Sequence, residues 1–389
     1  MKKLLIVLIC GLLLIGCGTN KQEQPDEIKG IWISYIELSQ LLDRADEATF
    51  RSRMEEVYSN VKELGLNTVY VHASAFTDSF YQSSYYPFSH HASGEVGKEL
   101  EYDPYQIMIE LAHQNGLRFE AWINPMRSYK AATLEELDQK YILATWYQDS
   151  NKKDLYLVEV DDRYYLNPAY QEVRELVCLI VEEILNNYEV DGIHMDDYFY
   201  PEKLDESFDA SAYAQYGNGR SLTAFRKENV NTLVKELYQT VKNYDKSITF
   251  SISPAGNIQY NLETIYADVE TWLKEPGYLD YVVPQIYWGF EHKSAAFDKR
   301  VEEWNALIQQ DSIQLVVGLG AYRINQEDAG EEWKQEDLLA RQVEYAKNMS
   351  HYGGIVIYSY QSLFWANEKD KPLVERQIEY LKEIMKENN

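Results

Sequence analysis

The sequence predicts an α/β protein, a (β/α)8 TIM barrel with loop and hairpin insertions, and three observations support that fold. Eight short segments with strand character alternate with stretches of helical periodicity along the 389 residues, as a barrel of parallel strands requires. Polar side chains collect at the C-terminal ends of several predicted strands, where barrel active sites lie. No G-x-G-x-x-G or Walker pattern follows an early strand, which disfavours the competing open, doubly wound sheet.

The predicted strands are short and alternate in polarity. In the first, Ile31 and Ile33 share one face while Trp32 and Ser34 share the other, which is the period-2 pattern of a strand. The eight strands are predicted at Gly30–Tyr35, Thr68–Ala73, Arg118–Asn124, a segment that begins at Val190, Ile248–Ser253, Tyr281–Trp288, Leu315–Gly320 and Gly354–Tyr360. A β-hairpin, turning at Asp161 and Asp162, is predicted at Leu155–Leu166 as an insertion before the next helix.

Between the strands, apolar residues recur at helical spacing. One such pattern begins at Phe50 and stops at Gly65, a C-terminal helix signal. Another helix opens at Asp103-Pro104, an N-cap followed by proline at the first helical position, and runs to Gly116. The remaining long helices are predicted at about 167–188, 221–244, 297–308, 338–346 and 372–385.

The N-terminal segment predicts export and lipid anchoring. Lys2 and Lys3 precede an apolar run at 4–15, which has the length of a signal-peptide core and is short for a membrane span. The run ends in L-I-G-C at 14–17, which resembles a bacterial lipobox and implies cleavage before Cys17 and lipidation of its thiol. We therefore expect a signal peptide at 1–17, a flexible tether at 18–28 and one barrel domain at 29–389, lipid-anchored to the cell membrane on its extracytoplasmic side.

The amino-acid composition restricts the classes of molecule that we expect the protein to bind. The net charge of −26 over the full sequence disfavours nucleic acid and anionic lipid surfaces. Tyrosine is abundant, with 33 residues, and Tyr and Trp offer flat apolar faces with polar handles that suit sugar rings. Aromatic residues in loops at the predicted mouth of the barrel indicate a cleft for a polysaccharide. They are Phe80, Tyr81, Tyr85, Tyr86, Tyr198, Phe199, Tyr200, Trp288 and Tyr322.

The segment 190–201, V-D-G-I-H-M-D-D-Y-F-Y-P, organises the predicted site. Ile193 alternates with His194 in a strand pattern, and the strand ends in the adjacent carboxylates Asp196 and Asp197. We assign the more apolar side of each strand to the surrounding helices, so the other side faces the barrel interior. The inward side chains are then Tyr70, His72, Ser74, Glu120, Trp122, Asn124, His194, Asp196, Gln285 and Tyr287. We expect Asn124, Asp196, Gln285 and Tyr287 to converge on one cavity, with His194 deeper.

Four sequence blocks resemble a known family. They are W-I-N-P-M-R at 122–127, N-P at 167–168 with Arg174 downstream, D-G-I-H-M-D-D-Y-F-Y-P at 191–201 and P-Q-I-Y-W at 284–288. These blocks are similar to the signatures of the bacterial family 10 glycosylhydrolase-like TIM-barrel lipoproteins, over about residues 29–380. The resemblance implies a (β/α)8 fold and glycosidase action on glycans. It also implies a substrate class, since some relatives cut peptidoglycan strands stripped of their stem peptides.

Glycoside cleavage generally requires two carboxyl groups, which nominates three catalytic candidates. Asp196 lies on the same side of its strand as His194, so we expect its side chain on the barrel axis. Asp197 is either the second carboxylate or a clamp on its loop. Glu120 is the other inward acid, either a proton donor whose pKa is raised by apolar neighbours or a buried partner of a histidine.

The remaining candidates are assigned to substrate binding. Asn124 and Gln285 suit bidentate hydrogen bonding to sugar hydroxyls or an acetamido group, and Arg127 either holds an anionic substituent or pairs with an acidic neighbour. The inward histidines and mouth aromatics complete the set, which comprises Asn124, Arg127, His72, His194, Tyr198, Gln285, Tyr287, Trp288 and Tyr322.

Two other functions remain open at this stage. His72, His194, Asp196 and Asp197 would suit a divalent ion in a metal-dependent deacetylase, but no H-x-x-H or H-x-x-x-D signature supports that interpretation. A glycan-binding lipoprotein without turnover would use the same aromatics and amides. The expectation is a glycosidase without a cofactor or a metal site.

Overall fold

A computed structural model of the chain describes residues 27–386. The predicted signal peptide, the lipidation site Cys17 and residues 18–26 of the predicted tether lie outside the described residues. Within the described range, parallel strands close into an eight-stranded barrel surrounded by helices. The predicted (β/α)8 fold is therefore confirmed.

Ten strands are present in residues 27–386. They are β1 (Ile28–Ile33), β2 (Thr68–Ser74), β3 (Arg118–Ile123), β4 (Leu157–Val160), β5 (Arg163–Leu166), β6 (Gly192–Met195), β7 (Thr249–Ile252), β8 (Tyr281–Val282), β9 (Gln314–Gly320) and β10 (Tyr352–Tyr358). The closed barrel has the order β1-β10-β9-β8-β7-β6-β3-β2, and β4 pairs with β5 in a separate hairpin.

Helices follow the barrel strands and also fill the loops at their C-terminal ends. They are α1 (Tyr35–Leu42), α2 (Glu47–Glu63), α3 (His90–Ser93), α4 (Pro104–Gln114), α5 (Ala131–Glu136), α6 (Ile142–Gln148), α7 (Gln171–Asn187), α8 (Ala210–Tyr216), α9 (Leu222–Tyr244), α10 (Ile258–Glu263), α11 (Val269–Lys274), α12 (Phe297–Leu307), α13 (Leu338–Ala346), α14 (Tyr360–Phe364) and α15 (Lys371–Lys386). Short 3-10 helices lie at Glu206–Asp209, Ala321–Arg323 and Glu331–Lys334.

Local sequence signals account for several of these boundaries. Helix α2 ends just before Gly65, whose φ of 87° is a left-handed conformation that glycine adopts without strain. The Asp103 carboxylate accepts from the first backbone N–H groups of α4, and the Ser221 hydroxyl caps α9 in the same way. Helix α7 begins at Gln171, later than predicted, because Asn167 and Pro168 form a turn in which Asn167 Oδ1 accepts from Ala169 N.

The predicted hairpin is confirmed and extends the mouth of the barrel. Strands β4 and β5 turn at Asp161 and Asp162, which have φ values of 50° and 64°, as a two-residue hairpin turn of the primed type requires. Strand β5 docks on the loop after β3, where Ser128 N donates to Tyr164 O at 2.9 Å and Arg127 bridges Tyr165. The insertion thereby fixes the backbone that carries Arg127.

The sixth barrel strand, β8, is much shorter than the predicted Tyr281–Trp288. Regular pairing stops at Val282, and Pro284 follows, which has no N–H to continue the ladder. Beyond it, Gln285 keeps only single bridges to Ala255 and Gly318. A side chain at Gly318 would meet Pro284 O at 2.7 Å, so the close approach of β9 requires glycine there.

The assignment of strand faces is confirmed. The outer faces of the strands join the helices in one large hydrophobic core, which includes Ile31, Ile33, Ile193 and Met195. A second, smaller cluster fills the barrel interior with Ile28, Trp32, Tyr70, Trp122, Tyr281, Val283, Val316 and Val356. Two members of this cluster, Trp32 and Trp122, reach the C-terminal mouth of the barrel. No helix in the described range has the length and apolarity to cross a bilayer.

Candidate active site

A cavity of about 190 Å³ opens among the C-terminal ends of the barrel strands. Predicted site residues supply much of its lining, namely Arg127, Asp196, Asp197, Tyr198, Gln285, Tyr287 and Tyr322. The rest comes from Trp32, Tyr35, Ile36, Trp122, Ser253 and Tyr358. A larger depression of about 430 Å³ lies between the loop after α3 and the segment from α5 to Tyr141. The smaller cavity is the candidate site, because it lies at the strand ends and contains the paired carboxyl groups.

Asp196 is held in place at the end of β6. Its Oδ1 accepts from the backbone N–H of Asp197 at 2.8 Å and from Gln285 Nε2 at 3.1 Å. The carboxyl groups of Asp196 and Asp197 also form a side-chain hydrogen bond with each other. Burial raises the pKa of Asp196, while hydrogen bonds and the positive charge of Arg127 oppose the rise.

Asp197 shares this wall of the cavity and interacts directly with Asp196. Burial and the adjacent Asp196 carboxylate raise the pKa of Asp197 well above its usual value. The residue as a whole keeps some contact with solvent, while burial of its carboxyl group is the larger of the two causes of the rise in pKa. Two interacting carboxyls resist carrying two negative charges, which favours retention of a proton by the pair, as in an acid–base pair.

Arg127 is clamped between two aromatic rings above the aspartates. Its guanidinium carbon lies 3.6 Å from the centroid of Tyr198 and 4.2 Å from that of Phe76, which is cation–π geometry. Arg127 Nε also lies 3.4 Å from the carbonyl oxygen of Ala75. Arg127 is the one Lys or Arg among the described cavity-lining residues. It therefore offers a positioned cation to a ligand.

One wall of the cavity is aromatic. Tyr287 stacks on Tyr358, with centroids 5.9 Å apart, and Tyr322 contacts both rings edge-on. Tyr322 and Tyr198 are 42% and 38% exposed, so each presents a ring face at the opening. Trp32 contacts Tyr358 and Trp122 from below. This arrangement offers stacking surfaces for sugar rings.

His194 lies under the cavity, at the deeper level that the sequence predicts. It does not line the open space. The indole Nε1–H of Trp32 donates to His194 Nε2 at 3.1 Å. Because indole is only a donor, the His194 proton is on Nδ1 and is donated to Ser251 Oγ at 2.8 Å. Burial lowers the pKa of His194 to about 3, so the ring is neutral. Its role is to position Trp32.

His72 and Asn124 flank the cavity without lining it. His72 Nδ1 accepts from Tyr35 N at 3.0 Å, and its ring stacks on Trp122 with centroids 3.5 Å apart. Asn124 Nδ2 donates to Ala75 O at 3.0 Å. His72 Nε2 and Asn124 Oδ1 are neighbours, but neither completes a hydrogen bond. The predicted convergence therefore holds for Asp196, Gln285 and Tyr287, whereas Asn124 braces the adjoining loop.

The structure does not bring Glu120 to the mouth. It pairs in register with Gly192, two residues before Trp122 on β3, and therefore lies toward the N-terminal end of the barrel. Its Oε1 accepts from Thr249 Oγ1 at 2.7 Å and from Arg118 at 3.3 Å. The alternation of side chains along a strand shows which residues face the barrel interior, but it does not show which end of the barrel they lie near. Glu120 is a buried ion-pair partner, of Arg118 rather than of a histidine.

Several aromatic residues expected in the cleft are packing residues. Phe80, Tyr81, Tyr86, Phe199 and Tyr200 are buried in the core between barrel and helices. Trp288 is also outside the cavity lining. It packs near Gly256, and its carbonyl oxygen accepts from Gln342 Nε2. The chain turns after the broken strand β8, which directs Trp288 away from the opening.

The proposed metal ligands do not form a binding set. In the part of the chain that the structure describes, no group of three or more His, Cys, Asp or Glu side chains is arranged to hold a metal ion. His194 uses both ring nitrogens within the barrel, and His72 is turned toward Tyr35 and Asn124. Neither histidine can join Asp196 without breaking these contacts.

Sequence reasoning missed several cavity residues. The alternation in β1 places Trp32 on the face opposite Ile31 and Ile33, and Trp122 is predicted to point inward, but neither indole is among the predicted site residues. Tyr358 ends β10, where the same alternation would have predicted it. Tyr35 and Ile36 belong to α1, which follows β1 immediately and gave no distinct signal.

Known proteins similar to this chain include proteins named as glycosyl hydrolases. Residues 27–335 match the model of the family described as glycosyl hydrolase-like 10. The chain is 30% identical over 378 residues to the glycosyl hydrolase YngK of Bacillus subtilis (strain 168), covering 90% of this chain and 72% of that protein. It is 28% identical over 344 residues to the glycosyl hydrolase DigH of Escherichia coli (strain K12), covering 79% and 76% of the two chains.

Solved structures show the same fold at low sequence identity. The PgaB (BpsB) glycoside hydrolase domain of Bordetella bronchiseptica superposes with a TM-score of 0.60 at 14% identity, covering 93% of this chain and 99% of that one. An endo-1,4-β-mannanase of Rhizomucor miehei gives 0.55 at 12% identity, covering 94% and 96%. The family match covers most of the described barrel, and it confirms the prediction of a glycosidase. The chain belongs to the glycosyl hydrolase-like 10 family.

Proposed function

We propose that this glycosidase hydrolyses bacterial cell-wall glycan, namely peptidoglycan strands from which the stem peptides have been removed. The observation that carries the proposal is the interacting pair Asp196 and Asp197 inside an aromatic cavity at the barrel mouth. A pair that holds one proton supplies both an acid for the leaving oxygen and a base. Binding alone would not require two carboxyls to be forced together.

Arg127 supports a substrate that carries a carboxylate. Clamped by Phe76 and Tyr198, it presents its guanidinium beside the aspartates without a salt-bridge partner among the described residues. Peptidoglycan carries a lactyl group on every second sugar, and this group is amide-linked when a stem peptide is attached. Only peptide-free strands present it as a free carboxylate, which a planar guanidinium binds well.

The size of the cavity supports an internal position along a polymer. Its volume of about 190 Å³ is small beside the ~300–1,000 Å³ of sites that enclose drug-sized ligands. One sugar unit would occupy the space over Asp196, and neighbouring units would extend outward over the exposed rings of Tyr198 and Tyr322. This arrangement favours cleavage within a strand.

We also propose that the enzyme acts outside the cytoplasm as a lipoprotein. The support is the L-I-G-C motif at 14–17 with its basic and apolar N-terminal segment. Lipidation of Cys17 would hold the barrel near the cell-wall substrate.

The proposal is tested with the purified full-length chain and two forms of one substrate. Sacculi retaining their peptides and glycan strands freed of peptides by an amidase are digested in parallel, and soluble products are identified by mass spectrometry. We expect short oligosaccharides from the peptide-free strands and none from the intact sacculi. Binding to the strands without any product would favour a non-catalytic glycan-binding protein. Release of acetate from uncleaved strands would instead favour a deacetylase, and either result would overturn the proposal.

A further inference from the structure

The cavity has carboxyl groups on one side only. Among the described residues that line it, the acids are Asp196 and Asp197, which are consecutive and share one loop. Mechanisms with two enzyme carboxyls place them on opposite faces of the sugar, about 5–5.5 Å apart for retention or about 6.5–9.5 Å for inversion. A sequence-adjacent pair joined by the Asp197 N–H to Asp196 Oδ1 bond occupies one wall. The other wall consists of Tyr287, Tyr322 and Tyr358.

Two acids outside the lining, Glu202 and Glu37, are already engaged in hydrogen bonds. Glu202 is exposed, and its Oε1 accepts from Tyr260 Oη at 2.6 Å. Glu37 is fully buried, where its carboxylate accepts from Ser359 Oγ at 2.6 Å and from backbone N–H groups of Ser34 and Gln361. Neither acid lines the cavity. Among the described residues that line the cavity, no carboxyl group therefore lies opposite the pair.

We infer that the nucleophile comes from the substrate, and that this enzyme cleaves bonds next to a 2-acetamido sugar by substrate-assisted catalysis. This inference rests on the proposed function, since it concerns the mechanism of the same cavity. It assigns a chemical requirement to the sugar bound over Asp196: its C2 substituent must be an acylated amine whose carbonyl oxygen can reach C1.

The two aspartates then have different roles in the reaction. Asp197 donates its proton to the glycosidic oxygen as the C1–O bond breaks and the bonding electrons move to that oxygen. The acetamido carbonyl oxygen forms a new bond to C1, and the amide N–H proton passes to Asp196 Oδ2, giving a neutral oxazoline. Water then gives a proton to Asp197 and attacks C1, and the ring opens as Asp196 returns its proton to nitrogen. The net reaction is hydrolysis with retention at C1.

The floor of the cavity suits the acetamido group. Trp32, Trp122 and Tyr358 surround the space below the aspartates with ring faces, which can enclose the methyl group. Trp122 is 3% exposed, yet its Nε1–H has no hydrogen-bond partner within residues 27–386. A buried indole N–H normally has one, so a polar atom of the ligand would satisfy it. Gln285 keeps Asp196 aligned with this space.

The test compares acyl groups on one strand preparation. Peptide-free strands are chemically N-deacetylated, and separate portions are re-acylated with acetyl or trifluoroacetyl groups, which have similar shape and no charge. The trifluoroacetamido carbonyl is a much weaker nucleophile. We expect kcat/KM to fall at least ~100-fold from the acetyl to the trifluoroacetyl strands, and the first-formed reducing end to retain its configuration by NMR. Glu202→Gln should leave both results unchanged.

Failure of this inference differs from failure of the proposed function. Equal rates on the two acylated strands, an inverted product or loss of activity in Glu202→Gln would show that the protein supplies its own nucleophile, and the glycosidase function would stand. If re-acetylated strands are not cleaved at all, the proposed function fails and the inference fails with it. Tight binding of a sugar thiazoline, measured by calorimetry, is expected independently of turnover, and its absence would count against the mechanism.

Discussion

Gln285 ties the carboxylate of Asp196 to the neighbouring strand end. Its Nε2 donates one hydrogen to Asp196 Oδ1 at 3.1 Å and the other to Ser253 O at 2.9 Å. Gln285 lies just beyond β8, whose regular pairing ends at Val282, and keeps only single bridges to Ala255 and Gly318. The irregular strand is thus part of the site, since Gln285 hydrogen-bonds to Asp196 and lowers the pKa of that carboxyl group.

Removing this amide should change the pH dependence of catalysis. The hydrogen bond from Gln285 lowers the pKa of Asp196 against the effect of burial. In Gln285→Leu the Asp196 pKa should rise, so the acid limb of the kcat/KM profile should move to higher pH. Gln285→Glu should move it further, because a second negative charge adds to the effect. An unshifted acid limb in both variants would show that Asp196 does not govern it.

Arg127 should contribute to binding of the acidic sugar rather than to bond cleavage. Loss of a hydrogen bond to a charged group costs about 1.5–3 kcal/mol, so Arg127→Gln should raise KM on peptide-free strands roughly 10-fold or more. KM for chitin oligosaccharides, which have no lactyl group, should change much less. Arg127→Lys should recover only part of the loss, because an ammonium cannot bind a carboxylate bidentately. Equal effects on both substrates would contradict this role.

His194 should make the fold sensitive to acid. Its pKa is about 3 in the folded protein, against about 6.5 when unfolded. The unfolded chain therefore binds an extra proton below about pH 6.5, and the stability that depends on neutral His194 is complete above that pH and declines below it. His194→Gln retains an acceptor for Trp32 and a donor for Ser251 but does not titrate.

Urea unfolding at a series of pH values tests this linkage. The stability advantage of the wild type over His194→Gln should shrink by about 1.4 kcal/mol per pH unit between about pH 6 and pH 4. A constant difference across this range would mean that His194 is not held neutral in the barrel.

The proposed anchor at Cys17 is tested by fractionation. Cys17→Ala should leave the membrane fraction, and metabolic labelling with a fatty acid should mark only the wild type. Unchanged detergent partitioning of the variant would defeat the lipoprotein proposal, while leaving the account of the barrel intact.

The fold was predictable because alternation within strands and helical spacing between them are local signals. Pairs such as Ile193 and His194 showed which face of β6 is inward, and the structure agrees. Depth along the barrel axis is not a local property. Depth depends on the register between strands. Alternation therefore predicts that Glu120 and Asp196 both face inward, although they lie at different depths along the barrel axis.

Loop aromatics were less predictable for a related reason. Tyr81 and Tyr198 both follow barrel strands, but Tyr81 is buried under a folded-back loop while Tyr198 stacks on Arg127. Which ring faces the opening depends on how long loops pack, as does the clamp that Phe76 completes. The sequence therefore predicted that carboxyl and aromatic side chains gather at the barrel mouth, but it did not predict which aromatic rings line the cavity.

The central claim is that the paired aspartates cleave glycan. The most direct measurement is the initial rate of product release from peptide-free strands by wild type, Asp197→Asn and Glu202→Gln, with strand binding measured alongside. Asp197→Asn should lose about 10²–10⁴-fold in kcat while still binding the strands, and Glu202→Gln should match wild type. Full activity in Asp197→Asn, with activity lost in Glu202→Gln, would contradict the account.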